Sequence, residues 1–161
     1  MNMPQAFIGV GSNLGDKEQN IKKAVSEIKK ISKTIKLSSL YKTEPVGFKE
    51  QDWFLNCALE IETKLAPADL LKSLKEIEKK MGREKTFKNG PRIIDLDMLF
   101  YGNTVLKNKT LKIPHPKIRE RKFVLVPLNE IAPDFIHPKL KKKVNDLLKE
   151  TKDKSEVELY A

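Results

Sequence analysis

The segment IIDLDMLF carries two carboxylates, Asp95 and Asp97, two positions apart in an otherwise apolar run. In a strand, residues i and i+2 share a face and lie about 6.5–7 Å apart along the chain. Ile94, Leu96, Met98 and Phe100 are then expected to bury on one side while both acids project from the other. Two such carboxylates repel unless a cation or a shared proton sits between them. Magnesium suits the pair, because it takes carboxylate oxygens together with substrate phosphates and retained waters. On spacing alone, an ordinary strand with one wet face explains the pair nearly as well. The preceding Gly90-Pro91-Arg92, with arginines on both sides, favours a metal pair serving a polyphosphate.

Arginine use is uneven. Of 32 basic residues only Arg83, Arg92, Arg119 and Arg121 are arginines, all between positions 83 and 121, whereas lysines are spread throughout. Lysine is a solvated point charge, while the guanidinium fork suits bidentate phosphate contacts, so the segment reads as a phosphate site. Pro114-His115-Pro116 holds His115 on a constrained loop, where it is either structural or a donor to phosphate. Phe54 and Asn56 share a strand face, and a ring beside an amide can stack on a flat heterocycle and read its edge. By itself Phe54 reads as core, the usual place of a strand phenylalanine, and so does Phe123. GVGSNLG matches neither the dinucleotide fingerprint nor a phosphate-binding P-loop. Gly9, Gly11 and Gly15 instead suggest a strand exit with close backbone approach, Asn13 or Asp16 capping the following helix.

Composition narrows the classes. At 161 residues the chain is expected to form one domain over 1–161, and 39% apolar with 34% charged residues suits a globular fold. No apolar run approaches the roughly 18 residues of a membrane span, and no basic segment precedes the short apolar stretch at Met1–Val10. A lone cysteine, Cys57, forms no intrachain disulfide and fits a reducing compartment, so a cytoplasmic location without membrane association is expected. Zinc is not expected, since one Cys and two distant His do not make a ligand set. The net charge of +10 favours anionic partners. An RNA-binding module lacks its stacking aromatics on the central residues of NCALEIET, and paired aspartates on a strand repel phosphate without metal, so no nucleic-acid partner is expected. A dinucleotide-binding fragment fails on glycine spacing.

The elements that must position these residues follow from periodicity. Gln5–Gly11 reads as a buried strand. Asp16–Ser32 reads as a helix with Ile21, Ala24, Val25, Ile28 and Ile31 on one stripe. Ile35–Lys42 and Phe54–Thr63 read as strands around a Thr43–Trp53 loop; Cys57, Leu59 and Ile61 face one way, Glu60 and Glu62 the other. Pro67 opens a second helix striped by Leu70, Leu71, Leu74, Ile77 and Met81, with Gly82 at its end. After the polar Arg83–Arg92 loop comes a strand, Ile93–Tyr101. Strand, helix, strand, strand, helix, strand is an α+β, ferredoxin-like βαββαβ arrangement: an antiparallel sheet with helices on one face. Beyond Gly102, a short strand near Leu111, helices near Arg119–Leu128 and Leu140–Glu150, and an edge strand at Val157–Tyr160 are expected. His137 is read as structural.

In order from Ile8 to about Pro133, the blocks IGVGSNLGD, SSLYKTEPVG, FLNCALEIET, MGRE, GPRIIDLDMLFYGN, LKIPHP and RERKFVLVPLNEIAP resemble the 6-hydroxymethyl-7,8-dihydropterin pyrophosphokinases of folate biosynthesis. The resemblance implies transfer of a diphosphate from ATP to a pterin alcohol, with ATP and the pterin as small-molecule partners and a monomer expected. It implies that Asp95 and Asp97 hold two Mg2+ ions, Asp95 also lying against the pterin, and that Arg83 and Arg92 act with them in catalysis. Arg83, Arg92, His115 and Arg121 would contact phosphate, and Glu78 and Met98 would lie near the nucleotide. Phe54 and Phe123 would sandwich the pterin, Asn56 would bond its edge, and Thr43, Glu44 and Val46 would line its pocket. Two positions depart from the pattern: Lys85 stands where an arginine is common, and Asn89 where some members carry tryptophan. Lys85 can still place charge on ATP but cannot make the fork. Both long loops are expected to act as lids, and no general base is assigned.

Overall fold

The computed structural model describes residues 3–84 and 86–160. Its elements are β1 (Gln5–Ser12), α1 (Lys17–Lys29), β2 (Lys33–Leu37), β3 (Tyr41–Thr43), β4 (Phe54–Glu62), α2 (Pro67–Lys80), β5 (Asp95–Tyr101), β6 (Leu106–Lys107), β7 (Lys112–Ile113), α3 (Lys122–Ile131), α4 (Val144–Glu150) and β8 (Val157–Leu159). A 3-10 turn at Ile118–Glu120 precedes α3. The main sheet runs β5-β1-β4-β3-β8, with β2 also pairing β4, and its pairings are all antiparallel. The single strand expected over Ile35–Lys42 is broken at Ser38–Leu40, where the Ser38 hydroxyl accepts from Ala58 N–H at 2.8 Å and Ser39 N–H turns away to Glu130. Both halves still pair the same edge of β4, so the βαββαβ order holds.

The amphipathic stripes of α1 and α2 cover one face of the sheet with Ile21, Ala24, Ile28, Leu70 and Leu74, all 2% exposed or less. Asp16, one of the two candidate caps, accepts from Gln19 N–H at 3.2 Å. Asn13, the other candidate, bonds elsewhere.

The opposite face is not wet. Leu125, Leu128 and Ile131 of α3, with Val144 and Leu147 of α4, close over Phe7, Ala58, Leu99 and Phe100. Helices therefore lie on both faces, and Glu60, expected to face solvent, is buried and accepts from Gln5 Nε2 at 2.8 Å. The register between β1 and β5 slips at Leu99, since Phe7 pairs Phe100 whereas Ile8 pairs Met98. This bulge turns Phe100 onto the α3 face with Leu99, away from Leu96 and Met98 where alternation had placed it. Cys57 is core, and burial pushes its thiol up to about 12.

Candidate active site

The site forms where β1, β4 and β5 end on the α3 face. Gly11 stands between Asn56 of β4 and Asp95 of β5, paired with both, and Gly9 likewise faces Asp97. A Cβ on Gly11 would lie 2.3 Å from Asn56 Oδ1, so only glycine leaves room for that amide. Asn56 Nδ2 donates to Thr43 Oγ1 at 2.7 Å, and both residues are buried. The sheet thereby fixes the amide's orientation.

Thr43, Phe54 and Asn56 line a cleft with Glu44 and Val46 of the following loop, Arg121 and Phe123 from the start of α3, and Arg92 and Asp95 from the neighbouring groove. The Arg121 guanidinium carbon lies 5.5 Å from the Phe123 ring centroid. Rings and a valine supply apolar surface, while an amide, a hydroxyl and carboxylates supply hydrogen-bonding edges, a combination suited to a flat polar heterocycle. Each residue expected in the pterin pocket lies in this cleft.

A second, open groove adjoins it, lined by Glu78, Arg83, Arg92, Asp95, Asp97, Met98 and His115, with Lys75, Lys109 and Lys112 on its walls. Arg92 and Asp95 line both spaces. The two acids differ sharply. Asp95 is clamped, one oxygen accepting from Arg83 at 3.1 Å and the other from Arg92 at 3.0 Å. Asp97 has no such partner among the described residues; burial and the adjacent Asp95 charge push it up to about 7, only partly opposed by Arg121 and Arg92.

Glu78 sits beneath this pair. It is buried on α2, accepts from Leu96 N–H at 2.8 Å between the two aspartates, and accepts from Arg83 at 2.6 Å. Burial raises its pKa against those bonds. Its geometry is that of a support for β5 and Arg83. His115 Nδ1 accepts from Lys117 N–H at 3.1 Å, and burial together with Arg121 lowers the imidazole to about 4. At neutral pH the ring is therefore uncharged with its proton on Nε2, free to donate. Arg119 lines neither the cleft nor the groove but two other hollows, one of them shared with His115, so three of the four clustered arginines converge. His137 accepts the Lys139 and Leu140 amides, the structural role expected. Lys85 lies outside the described residues.

Periodicity did not reveal what joins the loops. Asn13 Oδ1 accepts from Arg92 N–H at 2.7 Å while Asn13 N–H donates to Arg92 O at 3.0 Å. Its Nδ2 reaches Gln51 Oε1 at 2.8 Å, and Gln51 Nε2 reaches Asn89 O at 2.7 Å. Phe48 and Phe87 meet edge-to-face at 4.8 Å, and Asn89, at φ 61°, packs against Gly47. The only hint of this in the sequence is the placement of amides beside glycines.

Among the described residues no group of three or more His, Cys, Asp or Glu could hold a metal ion. Of the groove's three carboxylates Glu78 is taken up by Arg83 and Leu96 N–H, leaving Asp95 and Asp97 two positions apart on β5. That donor set leaves most positions of a hard divalent cation to phosphate and water oxygens, which suits magnesium brought with a nucleotide.

A family model for 7,8-dihydro-6-hydroxymethylpterin-pyrophosphokinase matches residues 7–133. The 2-amino-4-hydroxy-6-hydroxymethyldihydropteridine pyrophosphokinase of Aquifex aeolicus is 40% identical over 144 residues, covering 89% of this chain and 90% of that protein. The folic acid synthesis protein FOL1 of Dictyostelium discoideum is 48% identical over 134 residues, which is 83% of this chain but only 20% of that protein's length. In fold, a Plasmodium falciparum HPPK-DHPS structure with pteroate superposes with a TM-score of 0.75 at 17% identity, over 91% of this chain and 43% of that one.

Proposed function

The chain belongs to the 7,8-dihydro-6-hydroxymethylpterin-pyrophosphokinase family, and on that premise we propose that it transfers the diphosphate of ATP to 6-hydroxymethyl-7,8-dihydropterin, a step of folate biosynthesis. The observation that carries this reading is the meeting of two spaces at Arg92 and Asp95. A heterocycle in the cleft presents its side-chain alcohol where a triphosphate in the groove presents its phosphorus. The alcohol oxygen attacks the β-phosphorus; the new O–P bond forms as the bridging α–β bond breaks, AMP leaves, and the alcohol proton is released.

Chemistry of this kind asks a protein for alignment and charge neutralisation more than for covalent participation. Phe54 and Phe123 hold the ring and Asn56, oriented by Thr43, bonds its edge. Arg92 and Arg121 face the transferring group, Arg83 supports it from Glu78, and His115 donates through Nε2. In the free protein the guanidinium groups of Arg83 and Arg92 rest on Asp95, so nucleotide binding exchanges those contacts for phosphate. Asp95 and Asp97 would hold two magnesium ions with the ATP, supplying charge neutralisation at the phosphates. Glu44, Val46 and the two loops close the cleft, with Met98 on the nucleotide side. A cytoplasmic monomer completes the proposal.

The test mixes protein, ATP, magnesium and the pterin alcohol. Stoichiometric AMP and pterin diphosphate are expected; ADP in place of AMP, or no product, would remove the reading.

A further inference from the structure

The segment Thr151–Tyr160 lies beyond the part of the chain that the family model matches, and no role has been given to it above. It crosses from one wall of the cleft to the other. At one end Thr151 Oγ1 donates to Arg119 O at 2.8 Å, and Asp153 Oδ2 accepts from Lys122 N–H at 2.9 Å. Lys122 is the first residue of α3 and stands between Arg121 and Phe123, both of which line the cleft. The helix's own N-cap, Arg121, makes no side-chain cap hydrogen bond, so this end borrows an acceptor 31 residues further on.

At the other end Glu156 O accepts from Glu44 N–H at 3.0 Å, and β8 pairs β3 with Val157 opposite Thr43. Thr43 and Glu44 line the facing wall. Between the anchors Asp153 Oδ1 accepts from both Ser155 N–H and Ser155 Oγ, at 2.9 and 2.5 Å, which sets a tight turn. Burial acts to raise the Asp153 pKa, but the Ser155 hydroxyl and the Lys122 and Ser155 amides outweigh it, leaving the carboxylate lowered and charged.

We propose that the strap formed by residues 151–160 is a positioning element for the acceptor: Asp153, hydrogen-bonded to Lys122 N–H and Ser155, holds the Arg121–Phe123 wall at the spacing from Thr43 and Glu44 that a pterin-sized ring requires. The strap touches none of the groove residues Arg83, Asp97 or His115 in the hydrogen bonds it makes, and Arg121, the one phosphate contact on the wall it holds, lines the cleft and not the groove, so its effect falls first on the pterin. This inference rests on the assignment of the cleft to the pterin.

The experiment measures two dissociation constants separately, for the pterin alcohol by its fluorescence and for a non-hydrolysable ATP analogue by calorimetry, with thermal unfolding in parallel. Replacement of Asp153→Ala is expected to weaken pterin binding about tenfold, the loss of a charge-assisted hydrogen bond, while the ATP analogue changes less than about twofold. Asp153→Asn, which still accepts, should recover most of the loss. Glu27→Gln, which loosens the ion pairs of Glu27 with Lys30 at the end of α1 and with Lys80 of α2, away from the cleft and the groove, should lower the unfolding temperature and leave both constants alone. Unchanged pterin binding in folded Asp153→Ala, or parallel weakening of both ligands, would overturn the inference. Should Asp153→Ala not fold, Ser155→Ala decides on the same two constants. Wild-type protein that binds the pterin yet releases no AMP would sink the transferase reading while leaving the strap intact.

Discussion

The cleft and the groove sit side by side and are built in opposite ways. The cleft is made from strand ends and the start of a helix, its polar groups already paired: Asn56 to Thr43, the α3 amide to Asp153. The groove is made from loop ends, one edge strand and the flank of α2, and its charges are held in temporary balance, Asp95 between two arginines and Asp97 with no ion pair among the described residues. A rigid heterocycle is recognised best by groups that do not have to reorganise. A triphosphate instead needs charge that can be released to it, which a carboxylate–arginine cluster stores.

The hardest blow to that contrast falls at Asp97. Asp97→Ala should lower kcat at least about 10³-fold, the scale seen when a preorganised charge-stabilising group is lost. Its carboxyl is raised in the folded state, so the unfolded chain ionises first. The stability this group contributes is therefore present below the ordinary carboxylate range and lost as pH rises towards about 7. Above that pH the variant should unfold at an equal or higher temperature than wild type. Near-normal AMP release in Asp97→Ala would remove the metal assignment, and a large loss of stability at pH 8 would mean the acid is structural.

The two spaces should also separate kinetically. Arg92→Ala is expected to cost about 10²-fold in kcat, with Arg92→Lys recovering only part because an ammonium cannot make the fork. Phe123→Ala should raise KM for the pterin roughly tenfold and leave KM for ATP unchanged, as lost stacking does. Steady-state kinetics with each substrate varied in turn decides the matter. If Phe123→Ala raised both KM values together, the cleft and groove would not be distinct subsites.

How much of this was legible in the chain depends on what each feature needs. The helix stripes, the βαββαβ order and the Asp95–Asp97 face depend on local periodicity, and all are visible in the sequence. The burial of Glu60 was not, because α3, which begins only at Lys122, returns to cover that face of the sheet. Nor was the turn of Phe100, since a bulge at Leu99 adds one residue and leaves the composition unchanged. At the site, residues on strands and at helix starts could be named in advance. The Asn13–Gln51–Asn89 hydrogen bonds could not, because each amide's partner is chosen only when three loops meet. Glu78 is expected near the nucleotide, and what tertiary structure adds is that it lines the groove while bracing Leu96 and Arg83.

A milder measure of the same contrast is the pH dependence of magnesium binding with the ATP analogue. Because a proton must leave Asp97 before a cation can take its place, apparent affinity should rise as pH climbs to about 7 and level off above. Below that point the slope should approach about tenfold per pH unit, one proton exchanged per site. Asp97→Asn should flatten the profile as well as weaken it. The pterin constant should stay level across the same range, since none of the groups paired in the cleft has to give up a proton. An affinity for magnesium that ignores pH between 5.5 and 8 would mean that the cation binds without Asp97.

The smallest expected effect lies where the two loops proposed as lids touch. Phe48 and Phe87 form the one aromatic pair between those loops among the described residues, edge-to-face at 4.8 Å, with Phe87 55% exposed. An aromatic pair adds about 0.5–1.5 kcal/mol beyond its buried area, and this one is half in water, so the lower end applies. Phe48→Ala should therefore shift the loops towards open by two- to threefold and raise both KM values by about that factor, with kcat held. Loops that end on the cleft at Thr43 and on the groove at Arg83 and Arg92 act on both substrates when they move, whereas a residue inside one space acts on one. Thermal unfolding should scarcely move, because the pair lies outside both cores. A selective rise in the pterin KM alone would place Phe48 inside the cleft and make that loop part of the recognition surface.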